Sequence, residues 1–156
     1  MGRISIALAT YNGEAFLEKQ LESLLHQTRP ADEVILIDDC STDGTVELIE
    51  QFLREYDLSH WKLYRNEENQ GYRKNFFRAL DHTTGDLIFL CDQDDDWHPQ
   101  KLQILEELCE EHPDILSLSS SFRMVDADGI PLEQKEEAGG WSNHGLVPMA
   151  VPEGDL

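Results

Sequence analysis

The sequence runs Val34-Ile35-Leu36-Ile37-Asp38-Asp39 and, further on, Leu87-Ile88-Phe89-Leu90-Cys91-Asp92, two apolar runs that each end in a carboxylate. Short continuous apolar runs are typical of parallel strands that helices cover on both faces. We therefore expect both strands at the centre of a sheet. These two stretches predict an α/β fold.

Apolar runs alternate with amphipathic stretches on either side of these two strands. The order predicts a mostly parallel sheet flanked by helices, a Rossmann-like arrangement. Ser41 to Asp43 would cap the second helix, and Pro99 suits the first turn of the fourth. The predicted strands are Ile4–Ala9, Val34–Ile37, Trp61–Tyr64 and Leu87–Cys91, and the predicted helices are Phe16–Leu25, Val46–Tyr56, Tyr72–Leu80 and Pro99–Cys109.

The pattern weakens after Pro113. Ile115–Val125 alternates like a strand, residues 126–129 predict a turn, and Ile130–Leu132 would return as a hairpin. From Glu133 onward, Gly, Glu and Pro dominate. We expect one domain over residues 1–132 and a polar tail over residues 133–156.

Composition excludes several classes of protein. With 32 acidic residues against 12 Lys and Arg, the 156-residue chain carries a formal net charge of -20, which disfavours nucleic acid as a partner. No apolar run approaches the roughly 20 residues of a membrane-spanning helix, and the start lacks the pattern of a secretory signal. The three Cys residues form no Cys-x-x-Cys pair, so a reducing cytoplasm is the expected compartment.

Polar residues follow every predicted strand. They are Thr10-Tyr11-Asn12-Gly13, then Asp38-Asp39, then Asn66 to Asn69, and last Asp92 to Trp97. Because ligands of open α/β sheets bind beyond the carboxyl ends of the strands, these four loops predict one shared crevice.

Four Asp residues crowd the fourth loop. Asp92 and Asp94 would project to the same side of an extended segment, roughly 6.5 to 7 Å apart, and could bracket Mg²⁺ or Mn²⁺. The alternative is an acidic helix-entry loop in which Asp95 or Asp96 caps the helix that begins near Pro99, and for Asp96 we favour this capping role. A calcium EF-hand is disfavoured, because Trp97 and Gln103 stand where that loop wants Gly and Glu.

Other loop residues keep two interpretations. Asp39 could accept hydrogen bonds from a ribose or base, or take part in capping the next helix. Tyr11 could stack on a base or be an ordinary half-buried aromatic. Arg73 and Lys74 could meet phosphate or form a surface pair at a helix start.

In order and spacing, these motifs resemble the nucleotide half of family 2 glycosyltransferases over about residues 3 to 130. The resemblance rests on residues 5–13, 27–28, 35–45, 69–75 and 85–102, and includes the Asp-x-Asp motif at Asp92 to Asp94. The form Asp-Gln-Asp-Asp-x-Trp, together with Tyr-Asn-Gly, looks closest to rhamnosyltransferase-like members that build bacterial surface polysaccharides.

The resemblance implies a GT-A fold, an inverting reaction and a nucleotide-activated sugar as donor, either a UDP- or a dTDP-sugar. The acceptor would be a glycan or a lipid-linked glycan, and the enzyme would act in the cytoplasm near the inner face of the membrane. Asp94 would be the principal metal ligand. The nucleotide would be bordered by Thr10, Tyr11, Asn12, Asp39, Asn69, Lys74 and Asp92, with Asp92 close to the ribose or the metal.

Inverting members also need a carboxylate base, and no convincing match to that motif occurs before Leu156. We therefore expect a donor-binding half that transfers sugar poorly, with its catalytic base unidentified. A patch exposed by truncation would favour a homodimer. The alternatives are a non-catalytic nucleotide-sugar-binding module and, ranked lower, a receiver-like signalling domain that binds Mg²⁺.

Overall fold

A computed structural model describes residues 2–121 and 123 of the chain. Strands and helices alternate through residue 111. They are β1 (Ile4–Thr10), α1 (Glu14–Leu25), β2 (Glu33–Asp38), α2 (Thr45–Glu55), β3 (Trp61–Arg65), α3 (Tyr72–His82), β4 (Leu87–Cys91) and α4 (Lys101–Glu111). Every element predicted up to residue 109 is confirmed in type and order, with its ends within two residues of the prediction.

The four strands form one parallel sheet in the order β3-β2-β1-β4. The chain winds outward from β1 to β3 and then crosses back to place β4 on the other side of β1. This reversal leaves the carboxyl ends of β1 and β4 side by side at the topological switch point, where doubly wound folds bind their ligands. The expected α/β fold with a parallel sheet flanked by helices is confirmed.

Alternation along the strands builds two apolar layers. Ile4, Ile6 and Leu8 of β1 point to the face that α1, α2 and α4 cover, and Ala7 points to the face under α3. All six residues of β2 are buried, as expected for an interior strand between β1 and β3. The strand is apolar on both sides because both of its faces meet helices.

Strand β4 differs from the expectation that it is central. It lies at an edge of the sheet formed by the described residues, and Ile88 and Leu90 are 45% and 57% exposed. They share a face with Ala7, while α3 packs over β1 and β2. The apolar run of β4 correctly predicts a strand, but it carries no information about which neighbour covers it.

Two helix-start predictions have different outcomes. Asp43 accepts a hydrogen bond from the backbone N–H of Thr45 at 3.1 Å, so the predicted Ser41 to Asp43 segment does support the first turn of α2, although the N-cap residue itself is Gly44. Pro99, by contrast, precedes α4, which begins at Lys101. The carbonyl of Pro99 instead accepts the backbone N–H of Thr28 at 2.8 Å, which ties this loop to the end of α1.

The chain divides into two compact units, residues 1–118 and residues 119–156. All eight elements belong to the first unit. The predicted strand Ile115–Val125 is absent over residues 115–121, where the backbone has no regular structure and Leu116 is fully exposed. The predicted turn at 126–129, the return at Ile130–Leu132 and the domain boundary at residue 132 lie outside the described residues. In the described part of the chain, no helix combines the length and apolarity needed to cross a bilayer.

Candidate functional site

The loops that follow β1, β2 and β3 are joined by backbone hydrogen bonds at one end of the sheet. The N–H of Asp39 donates to the carbonyl of Thr10 at 2.8 Å, and the N–H of Asn66 donates to the carbonyl of Asp38, also at 2.8 Å. Because all strands are parallel, their carboxyl ends meet here. The structure therefore brings the predicted loops to one edge, as the strand-end positions of their polar residues indicated.

In the loop after β1, Tyr11 is exposed, whereas Thr10 and Asn12 form hydrogen bonds that fix the shape of the loop. Thr10 is buried and donates its hydroxyl to Asp38 Oδ1 at 3.3 Å. Asn12 has a positive φ of 48°, and its Oδ1 accepts the N–H of Thr42 at 2.9 Å. Tyr11 remains 46% exposed, so its ring is the part of this loop that is open to a ligand.

Asp39 is buried and organises the turn before α3. Its Oδ1 accepts the N–H of Gln70 at 2.8 Å and the side-chain amide of Asn66 at 2.6 Å, and its Oδ2 accepts the N–H of Gly71 at 2.8 Å. Residue 71 is glycine because its φ of 83° lies in the region that favours glycine. Asp39 thus shapes the third loop and does not cap α2.

A cavity of about 710 Å³ opens beside this turn. Its wall carries three Lys or Arg side chains and two Glu side chains, so it is slightly basic in a strongly acidic chain. Lys74 is one of them, whereas Asn69 stands at the turn, where its Oδ1 accepts the N–H of Gly71 at 3.1 Å. The lining residues are Arg65, Asn66, Glu67, Glu68, Gln70, Lys74 and Arg78.

The carboxylate loop after β4 concentrates negative charge that nearby Lys side chains only partly compensate. Partial burial, followed by the charges of Asp95 and Asp94, raises the pKa of Asp92. Asp96 has a partner elsewhere, because its carboxylate pairs with Lys19 at 3.0 Å. The expectation that Asp96 caps α4 is therefore wrong: the N-cap residue is Gln100, and the N–H of Leu102 in the first turn donates to Gln27 Oε1 at 3.1 Å.

The described residues offer part of a metal-ligand set. Among them, no three His, Cys, Asp or Glu side chains converge closely enough to hold a metal ion by themselves. Mg²⁺ commonly binds through only one or two protein carboxylates, with water and substrate phosphates completing its shell. Asp92 and Asp94 could supply hard oxygen donors of this kind, and a cation there would offset the repulsion from Asp95 and Asp94 that, after burial, raises the pKa of Asp92.

Two features of this loop were missed by sequence reasoning. The side-chain amide of Gln93 bonds to the backbone of Tyr11, accepting its N–H at 2.8 Å and donating to its carbonyl at 3.1 Å. Trp97 is buried with Lys101 above its ring at 3.8 Å, and it packs against Phe89. These contacts indicate that Trp97 anchors the loop to the core. An aromatic residue directly after an acidic cluster was a sequence signal for this role.

Cys91 at the end of β4 has a structural role. Cys91 is buried in the core, and burial raises the pKa of its thiol well above the ordinary value. The Sγ of Cys91 accepts the side-chain amide of Gln20 at 2.9 Å. Such a thiol is inert toward nucleophilic chemistry, because the reactive form is the thiolate.

These features define a class of protein: doubly wound α/β domains with a ligand crevice where the strands end. The chain matches the family described as glycosyl transferase family 2 over residues 5–143. It therefore belongs to this family, which confirms the resemblance and decides against a receiver-like signalling domain.

Curated relatives carry glycosyltransferase names. The chain is 30% identical to the putative teichuronic acid biosynthesis glycosyltransferase TuaG of Bacillus subtilis over 131 residues, which is 84% of this chain and 51% of TuaG. It is 35% identical to the dTDP-rhamnosyl transferase RfbG of Shigella flexneri over 99 residues, 62% of this chain and 34% of RfbG. The chain thus spans about half the length of TuaG and a smaller share of RfbG.

Solved structures share the fold. The structure of Staphylococcus aureus TarS 1-349 in complex with UDP-GlcNAc matches with a TM-score of 0.65 at 30% identity, covering 71% of this chain and 32% of the solved TarS chain. The mannosyltransferase PcManGT from Pyrobaculum calidifontis, in complex with GDP-Man and Mn²⁺, matches with a TM-score of 0.60 at 28% identity, over 65% of this chain and 30% of that one. The GT-A assignment of the fold is therefore confirmed.

Proposed function

We propose that this chain binds a nucleoside-diphosphate sugar through a divalent cation held by Asp92 and Asp94. It would serve an inverting glycosyltransferase of surface polysaccharide synthesis, with a glycan or lipid-linked acceptor. The observation that carries the proposal is that two hydrogen bonds between Gln93 and Tyr11 join the carboxylate loop to the loop after β1 at the switch point. Relatives solved with UDP-GlcNAc, and with GDP-Man and Mn²⁺, support it.

Different residues of the crevice would contact the base and the phosphates of the donor. Tyr11 offers a ring face to the base, and Asp39 keeps an acceptor position, since its Oδ2 takes one hydrogen bond, from Gly71, among the described residues. That position suits the N3–H of uracil or thymine, which favours UDP- or dTDP-sugars. Asn69 and Lys74 lie at the third loop, and Lys74 would meet phosphate there.

Asp92 and Asp94 would ligate Mg²⁺ or Mn²⁺ together with the diphosphate. The bound ion would act as a Lewis acid that stabilises the charge on the departing nucleoside diphosphate. The protein needs such a counter-charge because the loop is itself negative and would repel phosphate. That repulsion makes nucleotide binding depend on the cation.

Calorimetry with UDP, dTDP and GDP tests this proposal, in MnCl₂ or MgCl₂ and again with EDTA. We expect UDP or dTDP to bind with metal and to lose about tenfold or more in affinity with EDTA, as loss of a site's ion implies. Asp94→Asn should reproduce that loss. Asp96→Asn is the matched control, because it removes the same charge from the same loop, and its affinity should stay within about twofold since exposed ion pairs contribute little.

An affinity for nucleotides that is the same with and without EDTA would overturn the metal-bridged site. Sugar transfer is a separate question, because the expected absence of a catalytic base stays a prediction. Incubation of the chain with a UDP- or dTDP-sugar and a glycan acceptor should give hydrolysis or no product. Efficient transfer would contradict that prediction while leaving donor binding intact.

A further inference from the structure

Gln93 makes a two-point contact between loops that are 82 residues apart in the chain. Its Oε1 accepts the N–H of Tyr11 at 2.8 Å, and its Nε2 donates to the carbonyl of Tyr11 at 3.1 Å. One side-chain amide therefore satisfies both backbone groups of one residue. The side-chain amide suits this contact because it is neutral at every ordinary pH and has a donor at one end and an acceptor at the other.

The contact continues the sheet beyond its last paired residues. In the parallel register Leu8 lies opposite Cys91, so two residues further on Thr10 would lie opposite Gln93. Strand β4 ends at Cys91, and the amide of Gln93 takes over the pairing with the chain after β1. Asp92 and Asp94 therefore flank a residue whose side chain is hydrogen-bonded to the loop after β1.

Gly13 is shaped to this contact. A Cβ built at residue 13 would overlap the amide of Gln93, with Cδ at 2.6 Å and Nε2 at 3.2 Å, and its three nearest atoms all belong to that side chain. The backbone itself does not demand glycine, because φ is -104°. The glycine of Tyr-Asn-Gly therefore leaves room for the glutamine of Asp-Gln-Asp-Asp.

Other side chains would not replace Gln93. Glutamate would keep the acceptor for the Tyr11 N–H but would oppose the Tyr11 carbonyl, and it would add a charge between Asp92 and Asp94. Asparagine is one methylene shorter and would pull the loops out of register. The requirement at this position is thus a neutral amide of this length.

We propose that Gln93 is a positioning residue that fixes the Asp92–Asp94 loop to Tyr11, so that the metal-binding and nucleoside-binding parts of the crevice act as one site. The inference rests on the proposed nucleotide function for its consequence, but the contact itself can be tested without a ligand. The positioning role predicts that Mn²⁺ binding and UDP binding are coupled through Gln93. The gain in UDP affinity on adding Mn²⁺ should depend on Gln93, because a cation on a detached loop is not held where the phosphates lie.

The first experiment compares wild type with Gln93→Met, which keeps the volume and removes both hydrogen bonds. Calorimetry gives the ratio of UDP dissociation constants in EDTA and in MnCl₂, and electron paramagnetic resonance gives the affinity for Mn²⁺ alone. We expect the ratio to fall about tenfold, a typical coupling, while the affinity for Mn²⁺ alone changes little because both carboxylates remain. A purely structural defect would lower both affinities.

The second experiment is a double-mutant cycle on unfolding in urea, with Gly13→Ala and Gln93→Ala. Gly13→Ala should destabilise the wild type, and it should cost nothing in the Gln93→Ala background, where the overlapping amide is gone. If Gly13→Ala alone fails to fold, Gln93→Ala should restore folding. Additive effects in this cycle would overturn the contact.

The outcomes separate the two proposals. In one outcome the wild type shows no metal-dependent UDP binding, but Gly13 and Gln93 are coupled in the double-mutant cycle. This outcome would refute the proposed function and the role of Gln93 in it, and would confirm the contact. In the other outcome the wild type binds UDP in a metal-dependent way, and Gln93→Met leaves the ratio of UDP dissociation constants in EDTA and in MnCl₂ unchanged. This outcome would refute the positioning role alone.

Discussion

At the scale of single residues, the carboxylate of Asp39 supports the turn before α3, and we propose that it also contacts the base of the donor. It holds the N–H groups of Gln70 and Gly71 and the amide of Asn66. Asn cannot accept at both ends, so Asp39→Asn should leave the N–H of Gly71 facing another donor. We expect the free energy of unfolding to fall by about 1 to 3 kcal/mol, measured in urea, with weaker UDP binding as well.

Asp81→Asn is a control for this change, because it removes the same charge from an exposed position on α3. Its stability should match that of the wild type. If Asp39→Asn unfolded at the wild-type urea concentration yet bound UDP weakly, the turn-supporting role of Asp39 would be refuted and only base contact would remain.

How much of this site the sequence could predict depends on how far apart the partners lie. Tyr11, Asp39 and Asp92 could be located at strand ends, because an apolar run followed by polar residues marks where a strand stops. The use of Asp39 could not be predicted, since the same carboxylate can bind a ligand or a neighbouring turn. The pairing of Gln93 with Tyr11 spans 82 residues, and no local pattern specifies it.

At the scale of elements, the amino ends of the strands are joined by Glu33 at the start of β2. Its carboxylate accepts hydrogen bonds from the Ser5 hydroxyl at 2.6 Å and from the Thr84 hydroxyl at 2.9 Å, and it pairs with Arg3 at 3.3 Å. It thus links β1, β2 and the turn that precedes β4. Burial alone would raise the pKa of Glu33, but hydrogen bonds from Ser5, Thr84 and Arg3 outweigh it and hold the pKa below the ordinary value.

This lowered pKa has a defined effect on stability against pH. The stabilisation is present above the unfolded-state pKa of about 4.3, and it is lost as the pH falls from there through the folded-state value. Glu33→Gln should cost about 1 to 3 kcal/mol at pH 7, because the amide nitrogen cannot accept from Arg3. Its disadvantage against wild type should shrink in acid, as followed by urea unfolding between about pH 3 and pH 7.

Glu18→Gln, an exposed change in α1, is the companion variant for Glu33→Gln. We expect its acid unfolding to run parallel to that of the wild type. A Glu33→Gln variant with a constant deficit at every pH would show that packing, and not the ionised carboxylate, joins these elements.

These elements were predictable because short continuous apolar runs differ from the longer amphipathic period of a helix, and the eight elements up to residue 111 appear where these patterns indicate. The position of β4 at the sheet edge was not, because an apolar run is compatible with an interior strand or with an edge strand whose face is exposed. Ile88 and Leu90 illustrate this, since their side chains are apolar and yet about half exposed. The exposed face and the sheet order are properties of the assembled fold and not of the strand.

At the scale of the whole molecule, charge dominates. A net charge of -20 on 156 residues repels itself in the compact state, and part of that charge is gathered in the loop of residues 92–96. Salt should screen the general repulsion, since the Debye length falls to about 10 Å at 0.1 M. A divalent cation should do more than screen if it binds the loop specifically, because a ligand that binds only the folded state raises its stability with concentration.

Thermal unfolding in NaCl and in MgCl₂ of equal ionic strength therefore separates screening from binding. We expect the melting temperature of the wild type to rise in both salts, and to rise further in MgCl₂ by a few degrees, as about 1 kcal/mol of ligand linkage would give. Asp94→Asn should keep the response to NaCl and lose the excess in MgCl₂, whereas Asp96→Asn should keep both. Equal responses of all three proteins to the two salts would mean that the carboxylates act only through their summed charge, and the site would then have no ion of its own.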